Sequence, residues 1–520
     1  MNVTKKILSL VILSIVFSSN IFSVARSGGE PGKASRARYA PKPIEEELGE
    51  YYLIEKKSDR YEKPVRRKKK VKPKSELVEV VAKKEKPFKV DLSGYVRLDA
   101  FLDSRQNVDY WKGIDYSYPK PAVYDKNQED INEKAQFTMV PFGKISIKVT
   151  GPELRGAKTS AVIKSDIPGK FRTEQVSDHV HDPFGMFRYQ HGYLNLEWEK
   201  TELLAGVYYS PLVLLELCAD TVSINAGEFF DPFNYSSMVR VRHKADPFEF
   251  VFAVHKLFWY DQWRDSLAPS LYGQVNVNIG EHLVCGGVNM DVVTPRIETD
   301  PALAENLVSV STVDDFSDLL NDAGSKIPSH GYKEAESVTH FAAFVGTALK
   351  KNNVTWKHRL TYAENPFLYT LIGGLGICAR NPKTDHRKWT KTRSISYWTE
   401  LSHMTKDREL GVFFGYTKNL GSRHKLVNNV TTTELLGHLV KREESATDPF
   451  IVIAEGKNID HAFRVQPRIR FFHGPVTIGF EVEYTRAAYG TPNHCARIED
   501  VTNCTKVSNT RAIASVVYAF

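Results

Sequence analysis

Basic side chains recur at every second residue in several stretches of this chain. In residues 238–246, Arg240 and Arg242 alternate with Val239 and Val241. Because alternate residues of a β-strand point to opposite faces, such a stretch would present its guanidinium groups along one face only. The residues with this placement are Arg97, Arg240, Arg242, Lys357, Arg359, Arg464, Arg468 and Arg470. If that face lined a confined aqueous space, these groups would attract anions electrostatically.

Acidic residues at comparable positions offer a second interpretation of the same arginines. These acids are Asp99, Glu249, Glu400, Glu481 and Glu483. Pairing of opposite charges would produce a polar surface of mixed sign with no preference for anions. The sequence leaves both interpretations open.

Signatures of other chemistry are weak. The chain contains no P-loop, GxSxG or HExxH motif, and a hydrolase would need a nucleophile that the sequence does not identify. His179, His181 and Asp182 could be metal ligands, but the sequence implies no further ligand near them. We therefore predict that the protein is not an enzyme and requires no metal and no cofactor.

The five cysteines are too few to hold an exported chain of 520 residues together by a disulfide framework. Cys495 and Cys504 lie nine positions apart and could clip one loop by a disulfide. Cys218, Cys285 and Cys378 have no obvious partners.

The basic stretches belong to a larger set of alternating segments. In residues 476–485, Val476, Ile478 and Phe480 alternate with polar residues or glycine. One apolar and one polar face are typical of a strand between lipid and water. Sixteen such strands are predicted, at 91–103, 135–150, 157–168, 187–199, 202–210, 238–246, 248–257, 270–280, 282–295, 338–349, 353–364, 394–405, 408–419, 462–473, 475–488 and 510–520.

The connections between these strands alternate between short and long. Short turns include 200–201, 246–247 and residue 474, whereas long loops include 211–237, 296–337 and 420–461. Outer-membrane barrels are built with short periplasmic turns and long extracellular loops. The predicted fold class is therefore all-β, a transmembrane antiparallel β-barrel of about 16 strands.

The third long loop, 211–237, is the best candidate for a constriction. It carries Asp220, Glu228 and Asp231 among apolar residues such as Phe229 and Phe230. The apolar residues would dock the loop against the inner wall, and the acids would then face the arginines. An external lid or a contact between subunits remains the alternative.

The N-terminal part predicts export and a disordered tail. Residues 1–25 have the basic start, apolar core and small-residue cleavage site of a signal peptide. Residues 26–89 hold 20 Lys and Arg against 11 Asp and Glu, together with several prolines. This segment is predicted to be a periplasmic linker, or alternatively a tether to an anionic surface. An exported chain does not meet nucleic acid.

The C-terminus ends on an alternating strand, with Val516, Tyr518 and Phe520 on one face. This stretch resembles the C-terminal assembly signal of bacterial outer-membrane β-barrels. The resemblance implies recognition by the barrel assembly machinery.

Several segments together resemble Gram-negative outer-membrane porins of the DcaP-like type. They are Gly94 to Asp99 (GYVRLD), 144–152, 187–194, 463–468 and 480–490. The resemblance implies a homotrimer of diffusion channels in the outer membrane of a Gram-negative-type bacterium, with the third loop folded into the pore. The chain departs from the family in its long loops at 296–337 and 420–461 and in a tail without heptads.

The predicted function is that of an outer-membrane porin, a passive diffusion channel for small hydrophilic solutes with a lean toward anions. Its predicted partners are outer-membrane lipid, those solutes and further copies of itself. The main alternative is a structural or surface-display barrel whose long loops bind a partner and whose pore is closed. A soluble secreted β-protein is the alternative at the level of fold class.

Overall fold

A computed structural model describes residues 88–108, 117–168, 188–257, 266, 268–299, 331–334, 336–381, 384–424, 426, 451–455, 459–490 and 504–520. The predicted signal peptide (1–25) and nearly all of the predicted linker (26–89) lie outside these residues. In the described part of the chain, no helix is long and apolar enough to cross a membrane.

The described residues form twenty strands and one short 3-10 turn at Pro366–Tyr369. The strands are β1 (Lys89–Asp103), β2 (Asn107–Val108), β3 (Tyr118–Pro119), β4 (Gln136–Thr150), β5 (Lys158–Pro168), β6 (Arg188–Glu197), β7 (Thr201–Tyr209), β8 (Tyr235–Ala245), β9 (Phe248–Leu257), β10 (Ser270–Ile279), β11 (His282–Val293), β12 (Val338–Lys351), β13 (Val354–Glu364), β14 (Gly373–Arg380), β15 (Arg387–Met404), β16 (Arg408–Ser422), β17 (Ile451–Glu455), β18 (Ile459–His473), β19 (Val476–Tyr489) and β20 (Thr505–Ala519).

Sixteen of these strands close into an antiparallel barrel, in the order β1, β4 to β13, β15, β16, β18, β19, β20 and back to β1. The other four lie in the long loops: β2 pairs with β3, and β14 pairs with β17 and with the start of β15. The predicted barrel of about 16 strands is confirmed. Its short turns join strands such as β6 to β7 and β18 to β19.

Two strand starts were predicted wrongly. β15 begins at Arg387 rather than at 394, and β20 begins at Thr505 rather than at 510, while the other bounds agree within three residues. Both extensions lie on the side of the long loops, beyond the part of the barrel whose outer surface is apolar. Their outward residues therefore need not be apolar. The period-2 pattern on which the prediction depended therefore fades there.

The two faces of each strand differ as the alternation predicted. On β19, Phe480 and Val482 are 48% and 46% exposed, whereas the inward Glu481 and Glu483 are 3% and 0% exposed. The same outward apolar exposure recurs on β9, β16 and β20. This apolar belt is the surface that lipid covers in a transmembrane barrel.

The barrel closes where the chain's first and last strands meet. Nine residue pairs join β1 to β20, and the Gly94 and Phe520 backbones exchange hydrogen bonds of 2.9 and 3.0 Å. A Cβ atom on Gly94 would lie 2.3 Å from the Lys144 carbonyl oxygen of β4 and 2.8 Å from the Phe520 ring, both closer than real Cβ contacts allow. Glycine is therefore needed at this position so that the β4 backbone and the terminal ring can both approach β1.

Candidate pore and its constriction

The segment between β7 and β8, residues 210–234, enters the barrel and crosses to the opposite wall. Its residues Leu217, Phe229 and Phe230 are all 0% exposed. At the far wall, the Asp220 backbone N–H donates to Glu400 on β15 at 2.6 Å, and that of Val222 donates to Glu481 on β19 at 2.8 Å. We name residues 210–234 the inner loop.

Inward glycines on the far wall make room for the apolar side chains of the inner loop. A Cβ atom on Gly346 would lie 2.6 Å from Leu217, and one on Gly415 would lie 2.5 Å from Phe230. Gly479 faces Val222 in the same way, at 2.9 Å. Glycine inside a strand often marks such a close approach, so these positions carried a sequence signal that we did not use.

The arginines nearest the inner loop are buried and paired with carboxylates. Arg464 is 0% exposed and forms an ion pair with Glu483 at 3.2 Å. It also donates to the carbonyl oxygen of Glu228 in the inner loop at 3.1 Å. Arg359, also 0% exposed, pairs with Asp231 of the inner loop at 3.0 Å. These contacts hold the loop to the wall.

The other arginines of the predicted set have acidic partners as well. The ion pairs are Arg97 with Asp99 at 2.7 Å, Arg240 with Glu202 at 2.8 Å, Arg242 with Glu216 at 3.6 Å and Glu249 at 3.7 Å, Arg468 with Glu400 at 3.1 Å and Glu409 at 2.7 Å, and Arg470 with Asp220 at 2.7 Å and Glu409 at 2.9 Å. Lys357 instead donates to the carbonyl oxygen of Cys218 at 2.9 Å. All these arginines face the interior, but each has its charge opposed by a carboxylate.

Two further loops clamp the inner loop, and sequence analysis missed both. Tyr118 of β3 packs edge-on against Phe229 at 5.6 Å between ring centroids. The 3-10 turn Pro366–Tyr369 accepts hydrogen bonds from the Phe233 backbone at 3.1 Å and the Asn234 side chain at 2.8 Å. The interior next to β9 to β19 is consequently filled with packed side chains.

Open space lies against β1, β4 to β10 and the start of the inner loop. Two cavities of about 290 and 280 Å³ occur there, and they adjoin because Tyr193 and Asn195 line both. Arg240, Arg242 and Glu216 line the first cavity, and Lys148 and Lys164 line the second. These cavities offer room for water and small solutes along this side of the barrel.

Three inward lysines on this wall were absent from the predicted set. They are Lys144 and Lys148 on β4 and Lys164 on β5. Lys164 lies opposite Ser146, diagonally between the other two. Asp166 lies opposite Lys144 and Asp91 lies opposite Lys148, but these acids form their ion pairs with Arg188 and Lys89. No described carboxylate forms an ion pair with any of the three lysines. We name them the lysine ladder. The alternation of Lys144, Ser146 and Lys148 with apolar residues is a sequence signal for their inward orientation.

One buried array has the residue types of an acyl-transfer triad. The His255 ring lies 3.3 Å from the Ser236 hydroxyl and 2.8 Å from the Asn289 amide oxygen. All three side chains are at most 2% exposed, so a substrate has no access to the hydroxyl. We interpret this array as a structural hydrogen-bond network.

The other predicted sites lie partly outside the described residues. No group of three or more His, Cys, Asp or Glu side chains within the described ranges could hold a metal ion, but residues 179–182 lie outside those ranges. Cys504 is a free thiol in the structure, and its predicted partner Cys495 is not among the described residues, so the disulfide stays a prediction.

Known proteins resemble this chain in structure rather than in sequence. No protein-family model matches the chain, and no curated protein matches it. The outer membrane channel DcaP of Acinetobacter baumannii is similar at 12% identity and a TM-score of 0.53, over 83% of this chain and 97% of that chain. The trimer form of OmpT, an outer membrane protein of Vibrio cholerae, is 11% identical at a TM-score of 0.42, over 84% and 100% of the two chains. A mutant of the Rh. blastica porin is 11% identical at a TM-score of 0.39, over 83% and 100%.

The similarity to DcaP concerns the fold. The TM-scores to OmpT and to the Rh. blastica porin lie below 0.5, so no conclusion is based on them. The fold is that of an outer-membrane β-barrel, so the fold implied by the resemblance in the sequence is confirmed.

Proposed function

We propose that this protein is an outer-membrane porin, a passive diffusion channel for small hydrophilic solutes. The proposal rests on the arrangement inside the barrel. The inner loop narrows the lumen from one side, and adjoining cavities lie along the other side. Those cavities are lined by charged and hydroxylic side chains such as Lys164, Glu216 and Ser160. Polar walls of this kind suit hydrated solutes.

A lean toward anions is part of the proposal, but it rests on the lysine ladder rather than on the arginines. Every arginine of the predicted set has a carboxylate within 4 Å, so it contributes little net field to the lumen. Two ladder lysines, Lys148 and Lys164, line the second cavity together with one acid, Asp91. Asp91 forms its ion pair with Lys89, and neither ladder lysine has an ion-pair partner among the described residues. Like charges in a narrow aqueous path raise the local concentration of anions.

The proposed setting follows the export signal and the family resemblance. The chain would be exported, recognised through Val516, Tyr518 and Phe520 by the barrel assembly machinery, and inserted into the outer membrane as a homotrimer. The apolar belt would contact lipid, and the side with the short turns would face the periplasm.

Single-channel recording in a planar bilayer tests the proposal. Detergent-purified protein should give discrete conductance steps, and a salt gradient should give a reversal potential on the anion side. Conductance steps without ion selectivity would support the porin but contradict the proposed preference for anions. Protein that is verified as inserted but gives no steps would overturn the porin.

A closed surface-display barrel is the second candidate, because three loops fill the interior next to β9 to β19. In that case conductance would be absent in the full chain and would appear once the inner loop is shortened. Partner binding by the loops at 296–337 or 420–461 would then be the activity to measure.

A further inference from the structure

A row of basic side chains crosses the outer surface of the barrel at its extracellular end. Five neighbouring strands, β15, β16, β18, β19 and β20, each contribute one residue. The residues are Arg393, Lys418, His461, Arg486 and Lys506, which we name the basic row. Each of these side chains points outward. Thr417, Thr485 and Val507 are buried and point inward. Their sequence neighbours Lys418, Arg486 and Lys506 therefore lie on the outer face.

The strand register makes the row continuous. Lys418 lies directly opposite His461, and Arg486 pairs with Phe463, one diagonal step away. Lys506 pairs with Ala488, one step from Arg486, and Arg393 pairs with Gly421, close to Lys418. Diagonal neighbours of this kind lie about 7–8 Å apart. One extended anionic group, or two adjacent ones, could therefore contact several members of the row.

Aromatic residues lie immediately below the row and mark the depth at which it sits. Tyr416, Phe463 and Tyr484 point outward two residues below Lys418, His461 and Arg486, and the Phe463 and Tyr484 rings are 6.0 Å apart. Below them are exposed apolar residues such as Phe414 and Val482. In transmembrane barrels the aromatic girdle lies at the boundary between hydrocarbon and headgroups, so the basic row lies at the level of the headgroups.

The positive charge of the row is only partly compensated. Asp460 contacts Lys418 and lies 2.6 Å from His461. Arg393 donates to the carbonyl oxygens of Gly421 and Leu420 at 3.4 and 3.5 Å. Arg486 and Lys506 are exposed and form no ion pair with any described carboxylate. Four permanent cations therefore face one carboxylate.

We propose that the basic row binds the phosphate groups of an anionic lipid in the outer leaflet. Arginine binds phosphate through two parallel hydrogen bonds and lysine binds it as a point charge, and basic clusters at headgroup depth recognise phosphorylated lipids. The short turns, placed on the periplasmic side, put the row in the opposite leaflet. The inference does not require the pore to conduct.

A second copy of the chain fits this surface less well. It would have to present carboxylates at the same depth. Among the described residues of the barrel strands, Asp460 and Glu364 are the outward carboxylates at the depth of the basic row. Glu364 is already bound to Lys391. A phosphorylated lipid needs no such acidic surface.

Lipid binding by detergent-purified protein, measured by native mass spectrometry, tests the proposal. The probes are a bisphosphorylated glycolipid and the same glycolipid without phosphate. The unmodified protein should bind the phosphorylated probe at least about tenfold more tightly, because charge-assisted hydrogen bonds distinguish the two. The double variant Arg486→Gln/Lys506→Gln should lose most of that preference.

Arg408→Gln is the matched control, because Arg408 is exposed at the opposite end of β16. It should keep the full preference. Heat-modifiable gel migration checks that each barrel is folded, and the single variants Arg486→Gln and Lys506→Gln serve if the double variant is not. Equal binding of both probes by the unmodified protein would overturn the proposal. Unchanged lipid preference in the folded double variant would also overturn the proposal. If that variant has lost its oligomers as well, the basic row is instead a contact between subunits.

Discussion

Arg464 and Lys164 both point into the barrel, yet their surroundings give their charges different consequences. Arg464 is fully buried against Glu483 and the inner loop, whereas Lys164 lines a cavity. Removing one member of a buried ion pair leaves the other charge uncompensated and costs about 3–5 kcal/mol. The buried arginines are therefore structural, and the ladder lysines are the residues whose charge a passing ion would meet.

Neutralising the ladder should change selectivity without unfolding the barrel. In Lys148→Gln/Lys164→Gln we expect the ratio of anion to cation permeability to fall about threefold, since a charge in a largely aqueous lumen changes an ion's energy by about 1 kcal/mol or less. Reversal potentials under a salt gradient measure this ratio. The comparison variant is Arg464→Gln, which should lower the unfolding temperature and detach the inner loop. If it changes the permeability ratio more than the double lysine variant does, the assignment of selectivity to the lysine ladder is wrong.

At the scale of the elements, the inner loop depends on its fit to the opposite wall. Leu217, Val222 and Phe230 each occupy a space that an inward glycine leaves free. Close-packed interiors tolerate extra volume poorly, and overpacking costs about 1–3 kcal/mol. The position of the loop is thus determined by the wall as much as by the loop itself.

Gly415→Val should displace the inner loop from the wall, because its side chain would collide with the Phe230 ring. We expect a barrel that still folds but has altered single-channel conductance and faster proteolysis within residues 210–234. Gly273→Val is the control, since a Cβ atom there meets nothing within 4 Å. Identical conductance and proteolysis in the two variants would show that the glycine at 415 does not position the loop.

The interior of the barrel is asymmetric: one side of its lumen is packed and the other holds the two cavities. The packed side joins apolar inward residues such as Tyr272, Phe344 and Trp398 to the inner loop and its two clamps. The side with the cavities carries the lysine ladder. Closure of this molecule depends on the seam between β1 and β20, at which Phe520 packs beside Gly94.

Changes at the seam should impair assembly of the entire barrel. In Phe520→Ala and, separately, Gly94→Val, we expect the amount of heat-modifiable protein in the outer membrane to fall severalfold. The first variant loses the terminal ring, and the second places a side chain against both that ring and the Lys144 carbonyl oxygen. Gly273→Ala, at a strand position where a Cβ atom meets nothing within 4 Å, controls for general effects of substitution. Normal yield of both seam variants would refute the role of the C-terminal stretch as an assembly signal.

The sequence alone determined the strands and their faces, and it made residues 211–237 a candidate for entry into the barrel, which the tertiary structure then decided. Alternation is a local property: whether Phe480 faces lipid and Glu481 faces the interior follows from their neighbours in the chain. The same locality explains the misplaced starts of β15 and β20, where no lipid imposes the pattern.

Only the tertiary structure decided which carboxylate neutralises which arginine, and which cations remain facing water. Arg464 and Glu483, or Arg359 and Asp231, come together because the barrel closes and the inner loop crosses it, bringing residues that are distant in sequence within 4 Å. Net charge in the lumen is a sum over such contacts. A strand-by-strand pattern therefore identified the arginines as inward but could not assign the free charge to the lysine ladder.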